Sequence, residues 1–96
     1  MRKEYTIMKA VITVTGKDAM GIIAAVSNCC ADNGANIVDI SQSVLQDYFA
    51  MIMLVEIDEL KIHFTDFVDI MTGLGEEKGL VIHTMHEDIF NAMHKI

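Results

Sequence analysis

The segment 48–57, YFAMIMLVEI, limits the possible folds of this chain more than any other part, because every residue in it except Glu56 is apolar or aromatic. A run of this composition predicts a β-strand. Successive side chains of a strand point to opposite faces of its sheet. Both faces are therefore apolar, with Phe49, Met51, Met53, Val55 and Ile57 on one and Tyr48, Ala50, Ile52 and Leu54 on the other. A half-exposed sheet would alternate apolar and polar residues, so both faces need cover.

Three more strand-like runs and two helical repeats accompany this strand. The strand-like runs are KAVITVT at 9–15, ANIVDISQSVL at 35–45 and LVIHTM at 80–85. The helical repeats are Ile22, Ile23, Val26, Cys29 and Cys30, and then Leu60, Phe64, Phe67, Met71 and Leu74. Spacings of three and four are typical of amphipathic helices. The segment 87–96 has Ile89, Phe90, Met93 and Ile96 on one helical face, which predicts a short final helix.

Turn and cap residues mark the ends of these elements. We predict that Asp18 caps the first helix, because its carboxylate can accept a backbone N–H of the first turn, and that Gly34 ends this helix. Residues 46–47 form a short hairpin connection between two strands. Asp58 is predicted to cap the second helix, and Gly79 to end it.

The elements follow one another in the order β-α-β-β-α-β, with the tail after them. This order predicts an α+β fold, a ferredoxin-like two-layer sandwich in which two helices cover one face of a four-stranded antiparallel sheet. We predict one domain at 8–86, with an extension or alternative start at 1–7 and a tail at 87–96. Large exposed apolar patches mark interfaces, so the second apolar face predicts a homodimer or higher oligomer. The alternative is that the tail folds over this face.

The composition excludes several classes of partner. Among 96 residues, 7 are basic and 14 acidic, and the net charge is −7. Surfaces that bind nucleic acids or anionic membranes need clustered positive charge, so we expect neither partner. No apolar run approaches the roughly 20 residues that span a bilayer. The chain has two cysteines, which are adjacent and do not form a disulfide framework. We therefore expect a cytoplasmic protein.

The reactive side chains do not form a recognisable catalytic or metal-binding set. Cys29 and Cys30 fall in the middle of a predicted helix, whereas reactive thiolates favour helix N-termini or cationic neighbours. His83 and His86 would lie on opposite faces of the last strand. We therefore expect no metal site, no cofactor and no catalysis.

The turn at 16–21, GKDAMG, is the remaining candidate for chemistry. It precedes a helix N-terminus, whose unpaired N–H groups and partial positive charge can hold a carboxylate or phosphate. Lys17 adds charge, and Met20 and Ile22 are candidates for an apolar wall. The alternative is that Gly16 and Gly21 only permit the turn.

Two motifs resemble those of a known family. The segment GKDAMGI after the first strand and ANIVDIS at the second are similar to motifs of the ACT domain, a ferredoxin-like regulatory module that binds amino acids. The resemblance covers Met8 to about Met85. The tail IFNAMHKI looks like that of a small family of stand-alone ACT proteins, and similar modules occur in the glycine cleavage system transcriptional repressor. Because such modules are usually fused to another domain, we expect the output to act through a partner protein or a change of oligomer.

The resemblance implies a ligand site between the first loop of one subunit and the second strand of its neighbour. Backbone N–H groups of the loop would take the carboxylate of an amino acid or similar small carboxylate, and Asn36 or Asp18 would take its ammonium group. The implied residues are Asp18, Ala19, Met20, Gly21 and Ile22 from the loop, and Asn36 and Ile37 from the strand. The chain would be a homodimeric sensor without catalysis. The alternative is a protein-interaction module that uses its apolar sheet face and binds no small molecule.

Overall fold

The computed structural model describes residues 7–17 and 20–93. It contains four strands, β1 (Lys9–Gly16), β2 (Asn36–Leu45), β3 (Tyr48–Glu56) and β4 (Val81–His86). Its helices are α1 (Ile22–Asn33), α2 (Phe64–Lys78) and α3 (Glu87–Met93). The predicted element order and the helical tail are confirmed. Predictions about 1–6 and 94–96, and about contacts of Asp18 and Ala19, lie outside the described residues.

The strands form one antiparallel sheet in the order β2-β3-β1-β4. The central strand β1 pairs with β3 from Lys9 opposite Glu56 to Gly16 opposite Phe49. A register shift near Val38 interrupts the pairing of β2 with β3. The edge strands are therefore β2 and β4, and the sheet has a ferredoxin-like topology, as predicted.

One sheet face and both long helices enclose the core. The strands contribute Ala10, Ile12, Val14, Phe49, Met51, Met53, Val55 and Ile82, and the helices contribute Ile22, Val26, Cys30, Phe67 and Met71. All of these side chains are buried. Gly75 is also buried, and a Cβ at this position would lie 2.9 Å from the carbonyl oxygen of Leu80. The absence of a side chain there lets α2 pack closely on β4, so this glycine has a packing role in addition to weakening the helix.

The C-terminal ends of α1 and α2 confirm the predictions made for Gly34 and Gly79. Gly34 has φ +84°, and its N–H donates to the carbonyl of Ala31 at 3.2 Å. The next N–H, that of Ala35, donates to the carbonyl of Cys30 at 2.8 Å. This pair of bonds is the Schellman motif, and α2 ends in the same way at Gly79.

Both predicted N-caps are wrong. The N-cap of α1 is Gly21 rather than Asp18, because the left-handed backbone at Gly21 delays the helix start to Ile22. The helix α2 begins at Phe64, with His63 as its N-cap. Asp58 instead accepts hydrogen bonds from the backbone N–H of Met8, at 3.2 and 3.1 Å. Its carboxylate joins the start of β1 to the segment after β3.

The second sheet face, which we call the outer face, is covered only in part. Val11 lies on this face but is 4% exposed, and α3 contacts the strands β1 and β4 there. Tyr48, Ile52 and Val81 on the same face are 58%, 47% and 54% exposed. The tail therefore covers one end of the outer face, and an apolar area remains at the other end.

Candidate functional site

The turn between β1 and α1 ends in a left-handed glycine. Gly21 has φ +74°, a conformation that residues with a Cβ rarely adopt. Among the described residues, no side chain caps the N-terminus of α1, and its first turn has no acidic residue. The partial positive charge of this helix end is therefore not neutralised by a carboxylate of its own first turn. An anionic group is the natural complement of this end.

The two glycines of the turn have different roles. A Cβ at Gly16 would collide with the side chain of Leu80, so this glycine allows β1 to pack against the start of β4. A Cβ at Gly21 would have nothing within 4 Å, so the requirement there is the backbone angle. The surface beside Gly21 is open.

The other described loop residues point in different directions. Met20 is 88% exposed, whereas Ile22 is 5% exposed and belongs to the core. The side chain of Ile22 therefore cannot form a wall of a binding site, and this residue could contact a ligand only through its backbone. Asp18 and Ala19 are not among the described residues.

The strand half of the predicted site lies at the start of β2. Asn36 is exposed, and its Nδ2 donates to Oε1 of Glu56 at 3.2 Å. Ile37 pairs with Val55 and packs half-buried against the core. A depression of about 410 Å³ opens beside Asn36; its lining residues are Ile7, Gly34, Asn36, Glu56, Asp58 and Glu59. Three carboxylates make this a suitable environment for a cationic group such as an ammonium.

Within one protomer, the two halves of the site lie at opposite ends of the sheet. Asn36 pairs with Glu56, which in turn pairs with Lys9 at the start of β1. The loop follows the other end of β1, eight residues away. At about 3.3 Å per residue, the separation is roughly 25 Å. One copy of the chain therefore does not bring the predicted residues together.

Sequence reasoning missed two residues beside the predicted site. Glu56 accepts the hydrogen bond of Asn36, and the ring centroid of Tyr48 lies 5.8 Å from Nζ of Lys17 at the loop end. Both follow from the strand register, which places Glu56 opposite Asn36 and Phe49 opposite Gly16. The short hairpin at 46–47 was the available signal, because a tight turn determines which residues of its two strands are opposite each other.

The cysteines have the environment of core residues. Burial raises the pKa of the Cys30 thiol to about 12, and the neighbouring Cys29 contributes. The pKa of Cys29 is also raised, mainly by burial and then by Asp32. Both thiols are therefore protonated and weakly reactive at neutral pH.

Metal-binding clusters and membrane-spanning helices are both absent from the described part of the chain. Within 7–17 and 20–93, no group of three or more His, Cys, Asp or Glu side chains is arranged to hold a metal ion. In the same part of the chain, the helices are too short or too polar to cross a bilayer.

The fold and the β1–α1 turn identify a small ferredoxin-like domain, and comparison with known proteins defines its family. Residues 9–83 match the family model of the ACT domain, and the chain belongs to this family. The resemblance that the motifs indicated is thereby confirmed.

Relatives match nearly the whole chain. A UPF0237 protein of Listeria innocua is 47% identical over 89 residues, which cover 93% of this chain and all of that protein. The solved ACT domain protein of Streptococcus pneumoniae is 44% identical, with a TM-score of 0.78, and the match covers 88% of this chain and 96% of that one. A protein assigned as a glycine cleavage system transcriptional repressor shares the fold at 22% identity, with a TM-score of 0.68 over 85% of this chain and 47% of its own.

Proposed function

We propose that this chain is a regulatory module that binds an amino acid, or a similar small carboxylate, between two copies and performs no catalysis. One observation carries the proposal: the loop at Gly21 and the start of β2 at Asn36 lie at opposite ends of one sheet, and β2 is an exposed edge strand. Two copies that meet antiparallel along β2 would place the Asn36 end of one beside the Gly21 end of the other.

The charges at the Gly21 end and the Asn36 end of the sheet support a zwitterionic ligand. The start of α1 would take the carboxylate through backbone N–H groups, as helix N-termini do. The depression lined by Asn36 and Glu56 would take the ammonium group, because carboxylate and amide oxygens accept its hydrogen bonds. Asp18, Ala19, Met20 and Ile22 would complete the loop side, and Ile37 the strand side. No metal or cofactor is needed for this function.

The cellular compartment and the classes of partner that we propose follow from the net charge and the unpaired cysteines. Two unpaired cysteines, Cys29 and Cys30, suit the reducing cytoplasm. A net charge of −7 opposes direct binding to nucleic acids or anionic membranes. We propose that ligand binding acts through a change of oligomer or through a protein partner, which requires different ligand affinities in the two states.

The decisive experiment is calorimetry with the twenty common amino acids, with sedimentation measured at the same protein concentration. We expect dimers, and binding of at least one amino acid at millimolar concentration or below. A monomer that binds none of them would refute the proposal.

A pair of substitutions at Gly21 tests the position of the site. Gly21→Asp and Gly21→Asn add side chains of nearly equal size, and both residues tolerate the left-handed region better than others do. Only the aspartate adds a negative charge beside the expected carboxylate. We expect Gly21→Asp to lower affinity by more than about tenfold relative to Gly21→Asn, since like charges in close contact cost more than 1.4 kcal/mol. Equal affinities of the two variants would show that the ligand carboxylate binds elsewhere.

The exposed part of the outer face supports a second candidate function, a protein-interaction module without a small-molecule ligand. Tyr48, Ile52 and Val81 form an uncovered apolar area, which is typical of interaction surfaces. This candidate predicts a purified monomer that binds no amino acid but recovers one stoichiometric protein partner from the native cell. Light scattering and affinity capture, done on the same preparation, would separate the two candidates.

A further inference from the structure

Two neighbouring rows of the outer face contain no Asp, Glu, Lys or Arg. The strand register places Ser41, Ile52, Thr13 and His83 side by side in one row, and Ser43, Ala50, Thr15 and Val81 in the next. A solvated protein surface holds about one charged residue in four, and this chain has 7 basic and 14 acidic residues. We call the two rows the uncharged band. Depletion of charged residues is typical of the centre of a protein–protein interface.

Large apolar side chains on the outer face and on α3 remain exposed. Leu45, Tyr48, Ile52 and Val81 lie on the sheet, and Ile89 and Met93 lie on α3; each is between 47% and 73% exposed. Together they expose on the order of 700 Å² of surface, which is close to the roughly 800 Å² that each partner buries in a stable interface. The exposed area is therefore sufficient for a stable contact with one protein partner.

The helix α3 gives the outer face the shape of a step. It contacts β1 and β4 at the end where Val11 is buried, whereas Tyr48 and Val81 at the other end are exposed. None of the residues of α3 is buried, so the chain's own sheet does not fully cover the apolar side chains of this helix. A second copy turned end to end would lay its α3 on the uncovered end, and the same contact would form twice.

The two ends of the outer face have opposite charges. At the loop end, the ammonium group of Lys17 lies over an aromatic ring of this face, 5.8 Å from the ring centroid. At the other end, α3 begins with Glu87 and Asp88, and the opposed pair of Lys9 and Glu56 is neutral. Sheets that pack face to face keep their strands within about 30° of a common direction, so a second copy can lie parallel or reversed. Only the reversed copy brings Lys17 to the acidic start of α3.

We infer that the outer face binds a second copy of this chain in the reversed orientation, with α3 of each copy at the uncovered end of the other. The reversal brings the apolar side chains of α3 onto Tyr48 and Val81, and it places opposite charges together at both ends. Copies with a net charge of −7 repel each other. The uncharged band lets two of them approach at little electrostatic cost.

This contact is distinct from the proposed contact along the edge of β2. The inference therefore goes beyond the proposed function and does not depend on it. Four copies are the smallest closed assembly that uses both contacts.

A matched pair of isoleucine substitutions tests the position of the contact. Ile52→Glu places a charge on the uncharged band, and Ile70→Glu places the same charge on α2, where the isoleucine is 42% exposed against 47% for Ile52. We expect Ile52→Glu to lower the association constant of the copies at least about tenfold, because its carboxylate would be buried against an apolar surface. Ile70→Glu should leave the association constant within about twofold of wild type. Sedimentation equilibrium measures the constants, and circular dichroism checks that each variant is folded. A folded Ile52→Glu variant with the wild-type association constant would refute the inference.

An exchange of Lys17 and Asp88 tests the reversed orientation with two exposed residues outside the core, and it decides the question if Ile52→Glu does not fold. Lys17→Asp makes the chain more acidic, Asp88→Lys makes it less acidic, and the double variant keeps the net charge of −7. We expect each single variant to weaken association about three- to tenfold, because an exposed ion pair contributes up to about fivefold and the contact forms twice. The double variant should return to within about twofold of wild type. If overall charge alone governed association, Asp88→Lys would strengthen it, and that result would refute the inference.

The outcomes separate this inference from the proposed function, since sedimentation is measured without added amino acid. If the wild-type chain stays monomeric at millimolar concentration, the inference fails, and a different protein becomes the candidate occupant of the outer face. If Ile52→Glu weakens association and still binds an amino acid with wild-type affinity, the inference and the proposed function both hold. If the copies associate through the outer face and no amino acid binds, only the proposed function fails.

Discussion

A glycine with positive φ lies at each end of the sheet, and the surroundings of the two glycines differ. At the loop end, a Cβ on Gly21 would meet nothing within 4 Å. At the opposite end, a Cβ on Gly34 would collide with the carbonyl oxygen of Glu59, and the N–H of Lys61 donates to the carbonyl of Asn33 at 2.9 Å. Both glycines have positive φ, yet only Gly34 is enclosed. The difference shows that the first turn is open to its surroundings, whereas the second serves packing.

The largest effect expected from this difference is on stability. Gly34→Ala should lower the free energy of unfolding by about 3 kcal/mol, because the left-handed backbone costs about 1–2 kcal/mol and the collision with Glu59 adds to it. Gly21→Ala should cost only about 1–2 kcal/mol, from the backbone alone. Urea unfolding at one fixed protein concentration measures both values, since association also affects stability. Equal losses would show that the two ends do not differ in packing.

The sequence allowed the enclosed end to be predicted better than the open one. Gly34 follows a complete helical repeat, so the end of α1 could be placed from local rules. The starts of the helices were not as predictable, because Asp18 and Asp58 both look like caps. Only the structure shows that Asp58 binds the N–H of Met8, a contact between residues 50 positions apart. The periodic position of Leu60 was also misleading, since this residue packs on the core from the segment before α2.

The candidate site was less predictable than the fold for a physical reason. The resemblance named Asn36, but its partner Glu56 depends on strand register, and the ring beside Lys17 depends on the same register. In the proposed site the two halves would come together only between two copies, and no pattern within one sequence specifies how copies associate. The four-stranded topology, by contrast, follows from alternation and order alone.

The second prediction uses the charge at the Asn36 end. Aspartate and glutamate should bind at least about fivefold more weakly than alanine or serine, because an anionic ligand side chain would approach Glu56, Asp58 and Glu59. Glu56→Gln should reduce this difference by about threefold, since it removes one charge and keeps an oxygen that can accept from Asn36.

The control for this prediction is Glu77→Gln, in the last turn of α2, which changes the net charge equally at the other end of the sheet. Calorimetry with alanine and aspartate on the wild-type protein, Glu56→Gln and Glu77→Gln gives the ratio of the two affinities for each protein. If Glu77→Gln reduces the affinity difference between alanine and aspartate as much as Glu56→Gln does, the overall charge, rather than the Asn36 end of the sheet, discriminates between the two ligands.

The smallest expected signal is the most specific to a shared site. Asn36→Ala removes one exposed hydrogen bond and should change stability by less than about 1 kcal/mol. Alone, Asn36→Ala and Gly21→Asp should each bind poorly, because every site of either homodimer has one defective half. In a mixed dimer, one site combines the two defects, but the other combines the intact loop of the Asn36→Ala copy with the intact strand of the Gly21→Asp copy. Refolding an equal mixture should therefore restore about a quarter of the wild-type sites. A site formed within one protomer would show no recovery of binding in the mixture. The number of sites measured by calorimetry therefore decides whether the ligand binds between the Asn36 end of one copy and the Gly21 end of the other.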